Sequence, residues 1–141
     1  MNNVSNFFEN QGYKPKELGV DYTSKISNDS DHLTQIEELI STQNIVVFIK
    51  GTPKFPQCSQ SANTIAILDI LKVPYTTINI LDNTKLFKAL KKYSNWPTIP
   101  QVYVQKELLG GNDIITKLFQ QNKLLDILQT TFSKANSDQL N

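Results

Sequence analysis

The 141-residue chain has no arginine, one cysteine and one histidine. Without arginine, an anion must be bound by lysine, by backbone N–H groups or by a helix end, because no guanidinium is available for bidentate pairing. The single cysteine, Cys58, excludes an internal disulfide framework and any cysteine-rich metal site built within one chain. A metal held through Cys58 would therefore need ligands from a small molecule or from a second chain.

Long apolar runs and an excess of charge of either sign are also missing. The apolar run Ile45–Ile49 is the length of a β-strand and far shorter than a membrane span. Fourteen lysines against 13 acidic side chains leave a formal net charge of +1, so the charge balance does not indicate nucleic-acid binding. We therefore expect no membrane and no nucleic acid among the partners.

The polar ends and the regular centre divide the chain into three parts. Residues 1–30 are polar and lack a sustained apolar period, which predicts a largely disordered extension; residues 31–132 form one domain, and residues 133–141 form a polar tail. The first stretch has no apolar core of secretory length, and it is too acidic for a mitochondrial presequence. We expect an intracellular protein, with the cytoplasm favoured over the mitochondrion or another organelle.

Hydrophobic periodicity in the central part predicts alternating helices and strands. The predicted helices begin after an N-cap at Ser30–Asp31 and then cover Ser59–Leu71, Thr84–Tyr93, Asn112–Gln121 and Leu124–Phe132, and the predicted strands cover Ile45–Lys50, Tyr75–Ile80, Gln101–Gln105 and Glu107–Leu109. A right-handed crossover makes the first two strands parallel, and the last two form a hairpin around Lys106. This order is typical of an α/β, thioredoxin-like fold, in which helices flank a mixed four-stranded sheet.

Cys58 is the centre of the predicted chemistry because it stands at the start of a helix. A glycine and two prolines punctuate residues 51–57, so the helix cannot begin before Cys58. The N–H groups and the dipole at a helix start lower the pKa of a thiol, and the thiolate is both the nucleophile and the metal ligand. Lys50, at the end of the preceding strand, would add a positive charge. The alternative is an inert buried cysteine, against which the polar neighbours Gln57 and Ser59 argue.

Three segments resemble the signatures of the monothiol glutaredoxins. They are Ile45–Pro53 with Pro56-Gln57-Cys58 and Ser61, then Tyr93–Val104 with Trp96-Pro97-Thr98-Ile99-Pro100 inside it, and finally Gly110–Ile114. They occur in the family's order, and the resemblance covers residues 32–130. It implies a thioredoxin-like fold, glutathione as ligand and, in a glutathione-ligated homodimer, a [2Fe–2S] cluster shared between two subunits.

The resemblance also implies roles for the residues around the predicted glutathione site. Cys58 is the implied catalytic residue and the implied iron ligand. A cis bond before Pro100 would leave the N–H and C=O of Ile99 free to pair with glutathione, as an added strand pairs with a sheet edge. Trp96 is expected to pack and to position this loop.

The remaining implied contacts involve the two ends of glutathione. Gly111 allows a close backbone approach, and the helix that opens at Asn112 would hold the γ-glutamyl carboxylate through its N–H groups. Asp113 would meet the ammonium group of the same end. Lys50 would bind the carboxylate at the glycine end.

The chain departs from the family pattern at three places. The family's Cys-Gly-Phe-Ser tetrad is replaced by the segment Cys58–Ser61, in which Ser59 and Gln60 stand for the glycine and the phenylalanine. Phe87 occupies the place of an arginine that holds the glycine carboxylate, so Lys88, Lys91 or Lys92 would have to replace it. Asn112 stands where family members often carry a second cysteine.

Three functions therefore stay open at this point. The first is storage of a [2Fe–2S] cluster and its transfer to iron–sulfur client or carrier proteins. The second is a weak oxidoreductase activity in which Cys58 attacks glutathionylated proteins and a second glutathione resolves the mixed disulfide, since Ser61 supplies no second thiol. The third is a degenerate thioredoxin-fold binding module without a cluster, which Ser59 and Gln60 would explain.

Overall fold

The computed structural model describes residues 18–27, 31–81 and 83–130 of the chain. Its elements are β1 (Gly19–Asp21), a short 3-10 helix (Thr23–Lys25), α1 (His32–Thr42), β2 (Ile45–Ile49), α2 (Ser59–Ile70), β3 (Tyr75–Asn79), α3 (Thr84–Ser94), β4 (Gln101–Val104), β5 (Glu107–Gly110) and α4 (Asn112–Gln120). Residues 124–130 are also helical and are called α5. Across these ranges, no helix combines the length and the apolar character that a membrane crossing requires.

The strands form one mixed sheet in the order β1-β3-β2-β4-β5. β1 and β2 both run parallel to β3, whereas β4 runs antiparallel to β2 and β5 antiparallel to β4. The predicted α/β class with a mixed sheet flanked by helices is confirmed. The predicted number of four strands is wrong, because β1 adds a fifth at the edge beside β3.

β1 lies in the extension that was expected to be largely disordered, and its contacts explain its order. The N–H of Tyr75 donates to the carbonyl of Leu18 at 2.7 Å, and the N–H of Tyr22 donates to the carbonyl of Thr77 at 2.8 Å. Gly19 allows the approach, because a Cβ at this position would lie 2.5 Å from the Tyr75 hydroxyl oxygen. The rest of the extension (1–17 and 28–30), residues 131–132 of the predicted domain and the tail at 133–141 lie outside the described residues.

The sheet separates two apolar layers, and β2 contributes to both. Its alternating side chains place Ile45, Val47 and Ile49 in one layer with residues of α2, α4 and α5. Val46 and Phe48 lie in the other layer with residues of α1 and α3. Every residue of β2 is at most 2% exposed. β2 is therefore a rigid central strand, and its carboxyl end fixes the start of the loop that follows.

Candidate functional site

Hydrogen bonds within the loop between β2 and α2 close it into a turn, and this turn places Cys58 at the start of the helix. Gly51 has a φ of 99°, and a Cβ there would lie 2.5 Å from the carbonyl oxygen of Phe55. The N–H of Gln57 donates to the carbonyl of Lys50 at 2.8 Å, just before the helix. We call residues 51–57 the Cys58 turn. Its conformation requires glycine at its first position.

Cys58 is the N-cap of α2, and Ser61 ties its sulfur to the end of β2. Sγ of Cys58 accepts a hydrogen bond from the N–H of Ser61 at 3.4 Å and lies 3.1 Å from its hydroxyl oxygen. Ser61 is fully buried, and the same oxygen accepts from the N–H of Lys50 at 3.2 Å. The thiol therefore has a fixed position relative to the sheet.

The pKa of the Cys58 thiol lies below its ordinary value. Partial burial raises this pKa, but the hydroxyl and N–H of Ser61, the N–H of Gln60 and the charge of Lys50 together outweigh that effect by favouring the thiolate. The side chain is neither buried nor fully exposed. A partly accessible sulfur with a lowered pKa suits a nucleophile or a metal ligand.

A groove of about 160 Å³ lies between two loops near the start of α2. It is lined by Gln60, Trp96, Thr98, Ile99, Pro100, Gly111, Asn112, Asp113 and Ile114. The peptide bond between Ile99 and Pro100 is cis, as the resemblance implied. Five of the residues expected to contact glutathione thus line one groove, namely Ile99, Pro100, Gly111, Asn112 and Asp113. Cys58 and Lys50 are not part of this lining: Cys58 lies two positions before Gln60, which is a lining residue, and Lys50 directly follows β2.

A buried glutamine, to which the sequence reasoning gave no role, holds the first wall of the groove. The side chain of Gln101 is fully buried, and its Nε2 donates to the carbonyls of Trp96 at 3.0 Å and Thr98 at 3.3 Å. The hydroxyl of Tyr103 donates to Gln101 Oε1 at 3.0 Å. Burial is the main cause that raises the pKa of Tyr103 to about 12, so the phenol remains a donor at neutral pH. The sequence does contain a signal for this role, because Gln101 is a polar residue at the first position of an otherwise apolar strand.

The second wall uses Asn112 in a way that the sequence did not indicate. Oδ1 of Asn112 accepts hydrogen bonds from Asn63 Nδ2 and Thr64 Oγ1, both at 2.9 Å, and so links α4 to α2. The backbone N–H of Asn112 stays available to a ligand. Gly111 allows the two walls to approach, since a Cβ there would lie 3.2 Å from the carbonyl oxygen of Pro100.

Two aromatic residues complete the surroundings of the groove. The indole Nε1 of Trp96 is buried without a hydrogen-bond partner among the described residues, and the side chain lines the groove. Phe87, at the place of the family arginine, is partly buried against the α1–α3 layer. Lys91 Nζ lies 4.6 Å from the centre of the Phe87 ring. Of the three lysines considered as replacements, the structure shows Lys91 in contact with this place.

The described ranges contain no group of three or more His, Cys, Asp or Glu side chains that could hold a metal ion. Cys58 is the single thiol of the whole chain. One chain therefore supplies one thiolate, and a site with more sulfur ligands needs other molecules.

Comparisons with known proteins agree on one family. A sequence profile of the glutaredoxins matches residues 45–109, which include Cys58 and the Ile99–Pro100 wall. A monothiol glutaredoxin of Synechocystis is 40% identical over 99 residues, which is 70% of this chain and 92% of the relative. A probable monothiol glutaredoxin of Rickettsia typhi is 41% identical over 101 residues, which is 72% of this chain and 91% of the relative. The solution structure of reduced poplar apo GrxS14 aligns with a TM-score of 0.63 at 36% identity, over 71% of this chain and 92% of that one.

Proposed function

The chain belongs to the monothiol glutaredoxin family, and we propose on this basis that it binds glutathione beside Cys58 and carries a [2Fe–2S] cluster as a glutathione-ligated homodimer. The cluster is cargo, which the protein stores and passes to iron–sulfur client or carrier proteins. The observation that carries the proposal is the lone, partly exposed Cys58 thiol of lowered pKa at the start of α2, two positions before Gln60, which lines the groove.

The groove offers partners for each part of glutathione. Among the described residues, no hydrogen bond occupies the N–H or C=O of Ile99, so both are available to an extended peptide. The first N–H groups of α4, after Gly111, favour a carboxylate, and Asp113 can pair with the neighbouring ammonium. Lys50 and Lys91 are the cations that would bind the carboxylate at the glycine end of glutathione in place of the arginine that the chain lacks.

The number of sulfur ligands supports the glutathione-ligated homodimer. A [2Fe–2S] cluster is held by four thiolates or equivalent ligands. Cys58 supplies one from each of two chains, and one glutathione bound to each chain supplies the other two. No side-chain cluster in the part of the chain that the structure describes provides a substitute. Glutathione is then both a bound ligand and a structural part of the dimer.

The lowered pKa of Cys58 also favours a second candidate function, reduction of glutathionylated proteins. The Cys58 thiolate attacks the glutathione sulfur of the mixed disulfide, forms a Cys58–glutathione disulfide and releases the target thiolate. A second glutathione thiolate attacks this disulfide, which yields oxidised glutathione and regenerates Cys58. Ser61 stands where a resolving cysteine would be needed, so no internal disulfide can form.

Anaerobic reconstitution with iron, sulfide and glutathione tests the first proposal. We expect a coloured species that elutes as a dimer in size-exclusion chromatography and that requires glutathione. The Cys58→Ser variant is the matched control, because it replaces the sulfur by oxygen with little change in shape, and it should stay colourless and monomeric. A colourless monomer from the parent chain would contradict cluster binding. Turnover with a glutathione mixed disulfide, abolished in Cys58→Ser, would then favour the oxidoreductase.

A further inference from the structure

A chain of hydrogen bonds runs from β1 to the Cys58 turn. The carboxylate of Asp21 accepts from the hydroxyl of Thr23 and, at 2.9 Å, from its N–H. The Thr23 hydroxyl oxygen accepts from the N–H of Asn79 at 2.8 Å. The side-chain oxygen of Asn79 accepts from the N–H of Gly51 at 2.9 Å. Asn79 thus connects the added edge strand to the first residue of the turn.

The position of Asn79 at the end of the β2–β3 pair explains why a side chain is needed here. The parallel register ends at the pair Ile49 and Asn79, where the N–H of Ile80 donates to the carbonyl of Ile49 at 2.9 Å. Gly51 is buried, so its N–H requires a partner that the sheet no longer supplies. The same oxygen of Asn79 accepts from the N–H of Leu81 at 2.9 Å. One amide oxygen therefore holds both chain segments where they leave the sheet.

The contacts continue from Gly51 to the sulfur. Gly51 pairs with Pro56 across the Cys58 turn in an isolated antiparallel bridge. The preceding residue, Lys50, donates its N–H to the Ser61 hydroxyl oxygen, which lies 3.1 Å from Cys58 Sγ. A shift of Gly51 therefore displaces the closing end of the turn and the group that hydrogen-bonds the thiol.

We propose that Asn79 is a positioning residue for Cys58, and that β1 acts on the site through the hydrogen bond from the Asn79 N–H to Thr23. The inference rests on the proposed function in that it takes Cys58 as the reacting group. It requires neither glutathione nor iron. Its tests are therefore carried out on the full chain without either, and their outcome is independent of whether a cluster forms.

The first test compares Asn79→Ala with the parent chain by two measurements. Hydrogen exchange of the Gly51 amide, followed by NMR, reports the bond itself, and the rate of Cys58 alkylation at one neutral pH reports its effect on the thiol. Loss of one neutral hydrogen bond corresponds to about a two- to tenfold effect. We expect Gly51 exchange to accelerate and alkylation to slow by factors in this range.

Two variants separate positioning from general destabilisation. Asn79→Asp keeps an acceptor oxygen of the same shape, and we expect it to restore slow exchange at Gly51. Asn83→Ala is the matched control, because the side chain of Asn83 caps the N–H of Leu86 at 3.0 Å in the same connection without touching Gly51. It should leave both readouts at the parent value. Equal effects of Asn83→Ala and Asn79→Ala, or unchanged Gly51 exchange in Asn79→Ala, would overturn the role of Asn79.

Thr23→Val tests the link to β1 and serves if Asn79→Ala fails to fold. Valine keeps the shape of Thr23 but offers no oxygen to the Asn79 N–H, so exchange at Asn79 and Gly51 should accelerate about twofold or more. Thr34→Val is its control, because Thr34 also donates its hydroxyl to an aspartate, Asp31, at 2.9 Å, but does so on α1. If exchange at Asn79 and Gly51 in Thr23→Val is as slow as in Thr34→Val, the proposed link between β1 and the Cys58 turn is contradicted.

Discussion

At the scale of single residues, Ser61 decides how the Cys58 sulfur is held. Its buried hydroxyl contacts Cys58 Sγ, and the hydroxyl oxygen accepts a hydrogen bond from the N–H of Lys50, the residue that follows β2. After the burial that opposes ionisation, this side-chain hydrogen bond is the largest influence on the pKa of Cys58 and the largest that lowers it. The serine at position 61 therefore stabilises the thiolate form of Cys58. A cysteine at the same position would instead have given the site a second thiol.

We predict that Ser61→Ala raises the pKa of Cys58. A hydrogen bond to a charged group contributes about 1.5 kcal/mol or more, which corresponds to about one pKa unit. The thiolate fraction rises with pH, so the midpoint of the pH–alkylation curve should move to higher pH, and alkylation at neutral pH should slow about tenfold. Ser59→Ala, at an exposed neighbouring serine, is the control and should leave the curve in place. An unchanged midpoint in Ser61→Ala would contradict this role.

At the scale of elements, the loop from α3 to β4 is shaped by a side chain of the strand that follows it. Gln101 supplies the hydrogen bonds that fix the carbonyls of Trp96 and Thr98, and it is fully buried while doing so. The loop itself contains no regular hydrogen-bond pattern. The Ser94 hydroxyl, which accepts from the N–H of Trp96 at 3.1 Å and lies 3.3 Å from its carbonyl oxygen, and the Gln101 amide together hold the shape of the loop and so the first wall of the groove.

We predict that Gln101→Leu weakens glutathione binding while leaving Cys58 alkylation nearly unchanged. The substitution removes the amide donor from both carbonyls, although the Trp96 carbonyl keeps a 3.3 Å hydrogen bond from the Ser94 hydroxyl. We expect a cost of about 1–3 kcal/mol in the free energy of unfolding. Isothermal titration with glutathione and denaturant unfolding measure the two effects. Tyr103→Phe is the graded comparison, because it removes the donor to Gln101 Oε1 but leaves the Gln101 amide in place, and it should cause a smaller loss. A large change in alkylation would show that the wall also positions Cys58.

The edge strand β1 depends on the small size of Gly19. The Tyr75 ring that faces it is held in place by a 2.8 Å hydrogen bond from its hydroxyl to Asp69, so it cannot easily move aside. We predict that Gly19→Ala displaces β1 and accelerates hydrogen exchange of the Tyr75 amide, which donates to Leu18. Val20→Ala, at a side chain that is 41% exposed, should preserve this protection. Retained protection in Gly19→Ala would contradict the close packing.

At the scale of the whole molecule, periodicity and three motifs predicted most of the fold. The buried run Ile45–Ile49, the N-cap at Asp31 and the hairpin around Lys106 are local features, and the structure confirms each of them. β1 was missed because its three residues show no alternation and are ordered by pairing with β3, whose residues lie 56 positions further along the chain.

The candidate site shows the same division between local and long-range information. Cys58 at a helix start follows from its neighbours, and the groove residues followed from the resemblance. Gln101 and Asn79 act through hydrogen bonds to backbone groups of other segments, which composition and spacing do not reveal. Asn112 was assigned to the ligand because it opens a helix, whereas its side chain links α4 to α2.

Native mass spectrometry of the anaerobically reconstituted full chain tests the proposed ligand set most directly. We predict one dominant holo species that contains two chains, two glutathione molecules and one [2Fe–2S] cluster, since each chain supplies a single thiolate. Removal of glutathione should return the mass of the apo chain. A holo species without glutathione, or with a cluster bound to one chain, would contradict the proposed ligand set.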